Sequence, residues 1–238
     1  MEFIPGQKKL EFSAIDHIYT YHGKILDNVS SIIKKYSVPF DQDGSITARK
    51  AAENGITVEE QRKEWDEIGR LSREKGTAFH HDIEQYIKTK KIPQTDNKDL
   101  IKQFAALKLK GALYSEIRLH SIKYGIAGTA DLLQVFPNGI INVWDAKTTQ
   151  AKKMSRYSWG RRMLYPLDHL YDSELDKFEL QLSTYSFMLE NAGWWIKDLI
   201  VLHIDYDKRK IKEFPLQYRR NDVILMLDHY KNNREDKH

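Results

Sequence analysis

Hydrophobic residues recur at helical spacing through much of the first 110 residues. The pattern Thr57-Val-Glu-Glu60 is a capping box, and Trp65 and Ile68 follow it at helical spacing. We therefore predict one helix over residues 57–76 and a second over residues 77–90, separated by Gly76. Similar patterns predict further helices over residues 45–54, 99–110, 173–191 and 219–232.

The period of the pattern changes at residue 112. From there apolar residues alternate with polar ones or form short runs, which is typical of strands. Strands are predicted over residues 112–121, 126–136, 140–147, 196–205 and 210–216, after a small hairpin over 15–26. The order indicates the α+β fold class, with an α/β-type core in which a central mixed β-sheet is flanked by helices. We expect a single domain over residues 1–238, with a mainly helical N-terminal lobe over 1–75, a core over 76–216, and a C-terminal helix and tail over 217–238.

Two of the predicted strands form a hairpin around the turn sequence Pro137-Asn138-Gly139. Asp131 and Asp145 each lie seven residues from Asn138. A turn centred there places the two carboxylates opposite each other, with Cβ atoms about 4.5–5.5 Å apart. Lys147 lies two residues beyond Asp145 and therefore projects from the same face. Because like charges this close repel, and their burial is costly without a cation between them, the hairpin predicts a divalent-metal site.

The composition narrows the class of protein. Hydrophobic residues make up 41% of the 238 and aromatic residues 11%, which indicates a folded globule. The net charge of +4 permits a polyanionic partner without requiring one. Because the sequence has no cysteine, disulfides, zinc–thiolate sites and iron–sulfur clusters are excluded. No apolar run reaches the roughly 18 residues of a membrane span, and the first residues lack the apolar stretch of a signal peptide, so we expect a cytoplasmic protein with no membrane partner.

Four short motifs occur in order between residues 75 and 190. They are Gly76-Thr-Ala-Phe-His80-x3-Glu84, a G-x-x-D segment from Gly128 to Asp131, Asp145-Ala-Lys147, and Gln181-x3-Tyr185. In this order and spacing they resemble the motifs of the PD-(D/E)xK nuclease superfamily, specifically its RecB-like exonuclease branch. Ala130 stands where many members have proline. The absence of cysteine makes the chain similar to phage-type members that lack an iron–sulfur cluster.

The resemblance implies a restriction-endonuclease-like fold and a metal-dependent DNA exonuclease. Such an enzyme would act on single strands or DNA ends in recombination, replication or repair, in a bacterium or a phage-infected cell. One or two Mg²⁺ or Mn²⁺ ions would be held by Asp131, Asp145, the carbonyl oxygen of Ala146 and, by resemblance, His80. Lys147 would orient or deprotonate the attacking water and counter the charge of the transition state.

Four further residues have more than one interpretation. Glu116, in the first predicted strand of the core, would hold a second metal or position the lysine. Glu84 would orient the histidine or lie outside the site. Gln181 and Tyr185, one helical turn apart, would position the scissile strand or simply pack their helix.

Cations and aromatic residues alternate in the predicted loop after Lys147. They are Lys152, Lys153, Arg156, Tyr157, Trp159, Arg161 and Arg162. Such a mixture suits a single-stranded nucleic acid, because phosphates meet positive charge and bases stack on rings at about 1–3 kcal/mol each. The same composition is also typical of an ordinary solvated loop.

Two other functions fit the same residues. One is a structure-specific endonuclease for flaps or branches with the same fold, and the other is a catalytically silent module that binds nucleic acid. The set of Asp131, Asp145 and Lys147 argues against the silent module, because a scaffold has no need to hold these charges together. A helicase or a recombination protein is an expected partner of an exonuclease of this branch.

Overall fold

Eight strands and six α-helices occupy the residues that the computed structural model describes, which are 1–41, 44–148 and 154–234. The strands are β1 (Leu10–Ser13), β2 (Ile18–Tyr21), β3 (Lys24–Asn28), β4 (Ala112–Ser121), β5 (Ile126–Val135), β6 (Ile140–Lys147), β7 (Trp195–Asp205) and β8 (Lys210–Leu216). The helices are α1 (Val29–Lys35), α2 (Ser45–Asn54), α3 (Val58–Thr89), α4 (Lys98–Ala106), α5 (Glu174–Asn191) and α6 (Arg220–Asn232). Over these ranges, no helix combines the length and the apolar character needed to cross a membrane.

All eight strands join in one mixed sheet in the order β1-β2-β3-β5-β6-β7-β8, with β4 paired to β5 outside this path. β4 runs antiparallel along the whole of one edge of β5. The other edge of β5 is shared, because β3 pairs with Ile126 and Ala127 whereas β6 pairs with the segment from Leu132 to Val135. Residues 128–131 therefore lie between these two partners, at the point where the neighbouring strands part.

Helices cover both faces of the sheet. Side chains alternate along the strands, so Leu133 and Val143 pack with α1, α5 and α6 on one face. Leu132 and Trp144 pack on the other face with α3 and α4, where Phe79 is part of the same core. The predicted α+β class, with a central mixed sheet flanked by helices, is confirmed.

The hairpin between β5 and β6 has the predicted register. Leu132 pairs with Trp144 and Val135 with Ile141, so positions equidistant from Asn138 face each other. Asn138 itself has a φ of 65°, the left-handed conformation that a tight turn uses. Beyond the Leu132–Trp144 pair the two strands part, and β6 continues in parallel pairing with β7. Asp131 and Asp145 are the next residues on the two strands beyond this pair. They therefore lie where the strands part rather than within the β5–β6 ladder.

Residues 58–89 form one continuous helix, and the prediction of two helices separated at Gly76 is wrong. The predicted capping box is present, since the Glu60 N–H donates to Thr57 Oγ1 over 3.2 Å and the Thr57 N–H donates to the Glu60 carboxylate over 2.8 Å. A glycine inside a helix costs only about 1 kcal/mol, so packing of α3 on the sheet outweighs it. A Cβ at Gly76 would lie 3.4 Å from Thr148 Oγ1, so the glycine also gives room to the end of β6.

Residues 1–75 contain α1, α2 and the first part of α3, and they also supply β1, β2 and β3 to the central sheet. β3 joins β5 through the parallel pairs Asp27–Ile126 and Asn28–Ala127. The Asn28 side chain then accepts from the Ser30 N–H over 2.8 Å and begins α1. The N-terminal segment is thus tied to the same strand that carries Asp131.

Replacement of Phe79 by alanine tests the packing that holds α3 on the sheet. Because Phe79 is fully buried, we expect the Phe79→Ala variant to lose about 3–5 kcal/mol of unfolding free energy, measured by urea denaturation. Ile68→Ala, on the same helix at a side chain 55% exposed, is the matched control and should change by less than about 0.5 kcal/mol. Equal losses in the two variants would contradict this packing.

Candidate metal and catalytic site

Side chains from α3, β4 and β5 meet beside the opening between β5 and β6. His80 Nδ1 lies 3.5 Å from Glu116 Oε1, and His80 Nε2 lies 3.6 Å from Asp131 Oδ2. One ligand atom from each of these three residues lies within 4.8 Å of the others. Carboxylate oxygens suit Mg²⁺ and Mn²⁺, and an imidazole nitrogen is a common ligand of transition metals. The group could therefore hold a metal ion.

Glu116 lies opposite Asp131 in the β4–β5 ladder but does not pair with it. Ser115 pairs with Leu132 and Ile117 with Ala130, whereas Glu116 has a φ of 53°. Residues other than glycine rarely adopt this left-handed conformation, which costs about 1–3 kcal/mol. The ordered pairs on both sides hold the conformation, and the Glu116 carboxylate lies against the imidazole.

The backbone of Ala146 belongs to the same group. Its N–H donates to Asp131 Oδ2 over 2.8 Å, and its carbonyl oxygen lies 3.1 Å from His80 Nε2. Because β6 has left β5 at this point, the amide is available to a side chain. The carbonyl oxygen that the resemblance suggests as a donor is thus at the site, and its binding to a metal remains a prediction.

Asp145 and Lys147 lie beside this group and contact each other. Asp145 is 2% exposed, and Lys147 Nζ lies 2.7 Å from Asp145 Oδ2 as an ion pair. Within the described residues, this buried oxygen nevertheless has no hydrogen bond of good geometry. Such an atom fits a cation ligand, although Asp145 is outside the three-residue group above. Its ligation of a metal, for which it must turn from the lysine, remains a prediction.

Burial and neighbouring charges shift the pKa values of the site. Burial raises the pKa of Asp145 to about 6, with Asp131 acting in the same direction and Lys147 opposing it. Burial alone would lower the pKa of His80, but the carboxylates, Asp131 first, outweigh it and raise that pKa to about 9. Burial alone would lower the pKa of Lys147, but the carboxylates, Asp145 first and then Asp131, together outweigh it and raise that pKa. In the metal-free protein at neutral pH, His80 and Lys147 are therefore cations that balance the carboxylates.

One hydrogen bond connects Lys147 to α5, and a second within that helix continues from it. Its ammonium donates to Gln181 Oε1 over 3.2 Å, and Gln181 Nε2 donates to the Tyr185 hydroxyl over 3.2 Å. Tyr185 is 2% exposed, and burial raises the pKa of its phenol, so the hydroxyl stays neutral. The predicted glutamine and tyrosine thus orient the lysine, and their contact with a nucleic acid remains a prediction.

Two further residues, Ser30 and Gly128, support the site through contacts that no sequence pattern reveals. Gln181 Nε2 donates to Ser30 Oγ over 3.3 Å, across a separation of 151 residues. A Cβ on Gly128 would lie 2.6 Å from Tyr185 Cε1, so the glycine of the G-x-x-D motif makes room for the tyrosine of the Q-x3-Y motif. The signal for Gly128 is present in the motif, but its partner is set by tertiary packing.

The remaining predicted residues are not part of the three-residue group, although Glu84 lines a surface pocket together with His80 and Glu116. The Glu84 carboxylate accepts from Lys88 Nζ over 2.6 Å. Lys152 and Lys153 fall outside the described residues. Arg156 makes ion pairs with two buried acids of α5, Asp176 and Glu179. These contacts occupy Arg156 in the fold, and its role in nucleic-acid binding remains a prediction.

Four more residues of the predicted loop are placed. The rings of Tyr157 and Trp159 are 65% and 79% exposed and lie 5.0 Å apart. The Arg162 guanidinium lies 3.9 Å from the centre of the Tyr171 ring, and the Arg161 carbonyl accepts from the Asp172 N–H. The two exposed rings are available to a ligand, which leaves the predicted stacking open to test.

Comparisons with known proteins give weak likenesses. No family model matches the chain, and no curated protein matches it significantly. Among solved structures, the protein SSO0001 aligns with a TM-score of 0.37 at 16% identity, over 88% of this chain and 76% of that chain. A protein from Eubacterium rectale described as a "putative exonuclease" aligns with a TM-score of 0.37 at 10% identity, over 58% of this chain and 55% of that chain. Because both TM-scores are below 0.5, the function of this chain is inferred from its own site.

Replacement of Gly128 by alanine tests the contact with Tyr185. The added methyl group overpacks a buried ring, so we expect the unfolding free energy of Gly128→Ala to fall by about 1–3 kcal/mol in urea denaturation. Gly69→Ala is the matched control, because its Cβ would meet only the flexible end of Arg73 at 3.3 Å on exposed α3. The control should be stabilised by about 0.5–1 kcal/mol. A Gly128→Ala variant as stable as the wild type would contradict the contact.

Binding of Mn²⁺ tests the three-residue group. A metal must displace the proton of His80, whose pKa is raised to about 9, so the affinity should increase up to about tenfold from pH 7 to pH 8. Isothermal titration calorimetry on the metal-free protein measures this change. His80→Ala should abolish the pH dependence and weaken binding, whereas His81→Ala, at the neighbouring exposed histidine, should retain both. Wild-type affinity in His80→Ala would rule out this ligand.

Proposed function

We propose that this protein is a metal-dependent DNA exonuclease of the RecB-like type that acts on single strands or DNA ends. The observation that carries the proposal is a buried Asp145–Lys147 ion pair directly beside the donor group of His80, Glu116 and Asp131. Phosphodiester hydrolysis needs these two parts together, a site for a divalent cation and a lysine aimed at the same point.

The donor set fits Mg²⁺ or Mn²⁺. His80, Glu116 and Asp131 would hold the ion, with Asp145 and the Ala146 carbonyl oxygen as further donors. When bound, the ion would neutralise charge at the phosphate and lower the pKa of a bound water. The imidazole nitrogen favours Mn²⁺ somewhat over Mg²⁺, because it is a softer donor than a carboxylate.

Lys147 supplies positive charge rather than a base in this proposal. Its raised pKa keeps the ammonium charged at neutral pH, and a charged ammonium donates protons to hydrogen bonds but accepts none. Gln181 accepts a hydrogen bond from it, and Asp145 pairs with it in the metal-free protein. A preorganised cation of this kind stabilises the negative charge that develops on the phosphate oxygens during hydrolysis.

DNA is the proposed substrate, and the basic loop with Tyr157 and Trp159 is the proposed extension of the binding surface. A helicase or a recombination protein is the proposed partner, in the cytoplasm of a bacterium or a phage-infected cell. The exposed rings support this view, because stacking on aromatic side chains is the common means of holding unpaired bases.

Digestion of end-labelled DNA with Mn²⁺ tests the proposal. Lys147→Ala should lower the cleavage rate at least about 100-fold while DNA binding is retained, because the lost charge acts on the transition state. Lys102→Ala is the matched control, since Lys102 is exposed and pairs with Asp99. Linear single strands should be degraded and covalently closed circles left intact. Cut circles would indicate the endonuclease instead, and no metal-stimulated hydrolysis by the wild type would indicate a silent binding module.

A further inference from the structure

A groove of about 520 Å³ opens beside Lys147 and Gln181. One wall is α1 and the loop that follows it, and the other is the first half of α5. Ser30 contacts Gln181 at the inner end, Lys34 lies one turn further along α1, and Phe40 lies beyond the end of that helix. The groove therefore leads from the catalytic lysine out to the surface of the N-terminal segment.

Positive charge is available along this groove. Ser30 and Lys34 are four residues apart and therefore share one face of α1. Lys34 is exposed and has no ion-pair partner in the part of the chain that the structure describes. The acid in the opposite wall, Glu174, pairs with Lys177 over 2.8 Å, and the same lysine also pairs with Asp172 over 3.3 Å. Lys34, whose charge is not engaged in this way, is therefore the cation of the groove that can meet a phosphate group.

An aromatic platform lies at the outer end. Phe40 is 63% exposed, and its ring lies 5.7 Å from the ring of Trp65 on α3, at an angle of 65°. The preceding residues are anchored, because the Val38 N–H donates to the Asp172 carboxylate over 2.9 Å. A large apolar ring held at the surface beside a second ring offers one free face to a ligand, as in proteins that stack unpaired bases.

We propose that this groove holds a single-stranded stretch of the substrate, with a phosphate on Lys34 and a base stacked on Phe40 beside Trp65. The inference rests on the proposed function. It adds that the part of the substrate bound in the groove is single-stranded. The stretch must be unpaired, because a base inside a duplex has both faces covered by its neighbours. Phe40 is therefore the residue that favours single strands over duplex, and Lys34 adds affinity through the phosphate.

Binding of a labelled twelve-residue thymidine oligonucleotide in EDTA, followed by fluorescence anisotropy, tests the platform. Phe40→Ala should weaken the affinity by about 5–150-fold, the range expected for one stacked base. On an oligonucleotide with the same phosphates but abasic sugars, wild type and Phe40→Ala should bind equally. Lys34→Ala should weaken binding of both oligonucleotides and reduce the salt dependence by about one phosphate contact.

Two variants serve as matched controls. Trp195 is 74% exposed at the opposite end of the sheet from Asp145, so Trp195→Ala should bind as the wild type does. Lys35 follows Lys34 on α1, but its ammonium lies 4.9 Å from the Tyr230 ring centre, so Lys35→Ala should keep the affinity to within about twofold.

The outcomes separate this inference from the proposed function. Wild-type affinity in Phe40→Ala, or an equal loss on normal and abasic oligonucleotides, would overturn the stacking platform. Digestion of single strands by the wild type is measured independently. If the wild type cleaves DNA but its binding does not depend on Phe40, the proposed nuclease function stands and the proposed role of the groove is wrong. A protein that binds through Phe40 but cleaves nothing supports the groove and overturns the nuclease.

Discussion

Carboxylates gathered where β5 and β6 part must be balanced by positive charge, and the arrangement of the site follows from this constraint. Glu116, Asp131 and Asp145 line one small cavity there, with Asp145 buried, Asp131 partly buried and Glu116 exposed. In the metal-free protein, the balance is supplied by an imidazolium at His80 and an ammonium at Lys147. A divalent cation can take the place of the histidine proton, because both are held by the same acceptors.

A second group of buried acids has its charge balanced entirely by side chains of the fold. Asp176 and Glu179, on the first turns of α5, are 1% and 2% exposed. Each contacts both Arg156 and Arg219. Every acid there has arginine partners on more than one side, so no position is left for a ligand. Among the residues that the structure describes, no arginine pairs with the carboxylates around His80, which is the physical difference between a buried ion network and a candidate centre.

Motifs that are far apart in the chain are coupled through close contacts. Gly128 makes room for Tyr185, and Tyr185 holds the glutamine that orients Lys147. Gly76 makes room for Thr148 at the end of β6, one turn before His80 on α3. The glycines therefore allow two elements to approach closely, and the polar residues form hydrogen bonds across the resulting contacts. This coupling explains why residue types of such different chemistry occur together in the four motifs.

Local signals were sufficient for several of the elements that carry the site. The turn at Asn138 and the two-residue period of strands determined the register of β5 against β6, because both are properties of adjacent residues. The capping box at Thr57 and the start of α5 after Ser173 could also be predicted, because helix caps depend on residues close in the chain. The α+β class followed from the change of period at residue 112.

Tertiary structure alone decided the rest. The sequence by itself determined which residues pair across the hairpin and which helices begin where, since short-range sterics and hydrogen bonds govern both. It did not determine that α3 continues through Gly76, that β3 pairs with β5, or that Glu116 adopts a left-handed conformation beside His80. Each of these depends on packing between segments distant in the chain. That packing can outweigh a local preference of about 1–3 kcal/mol.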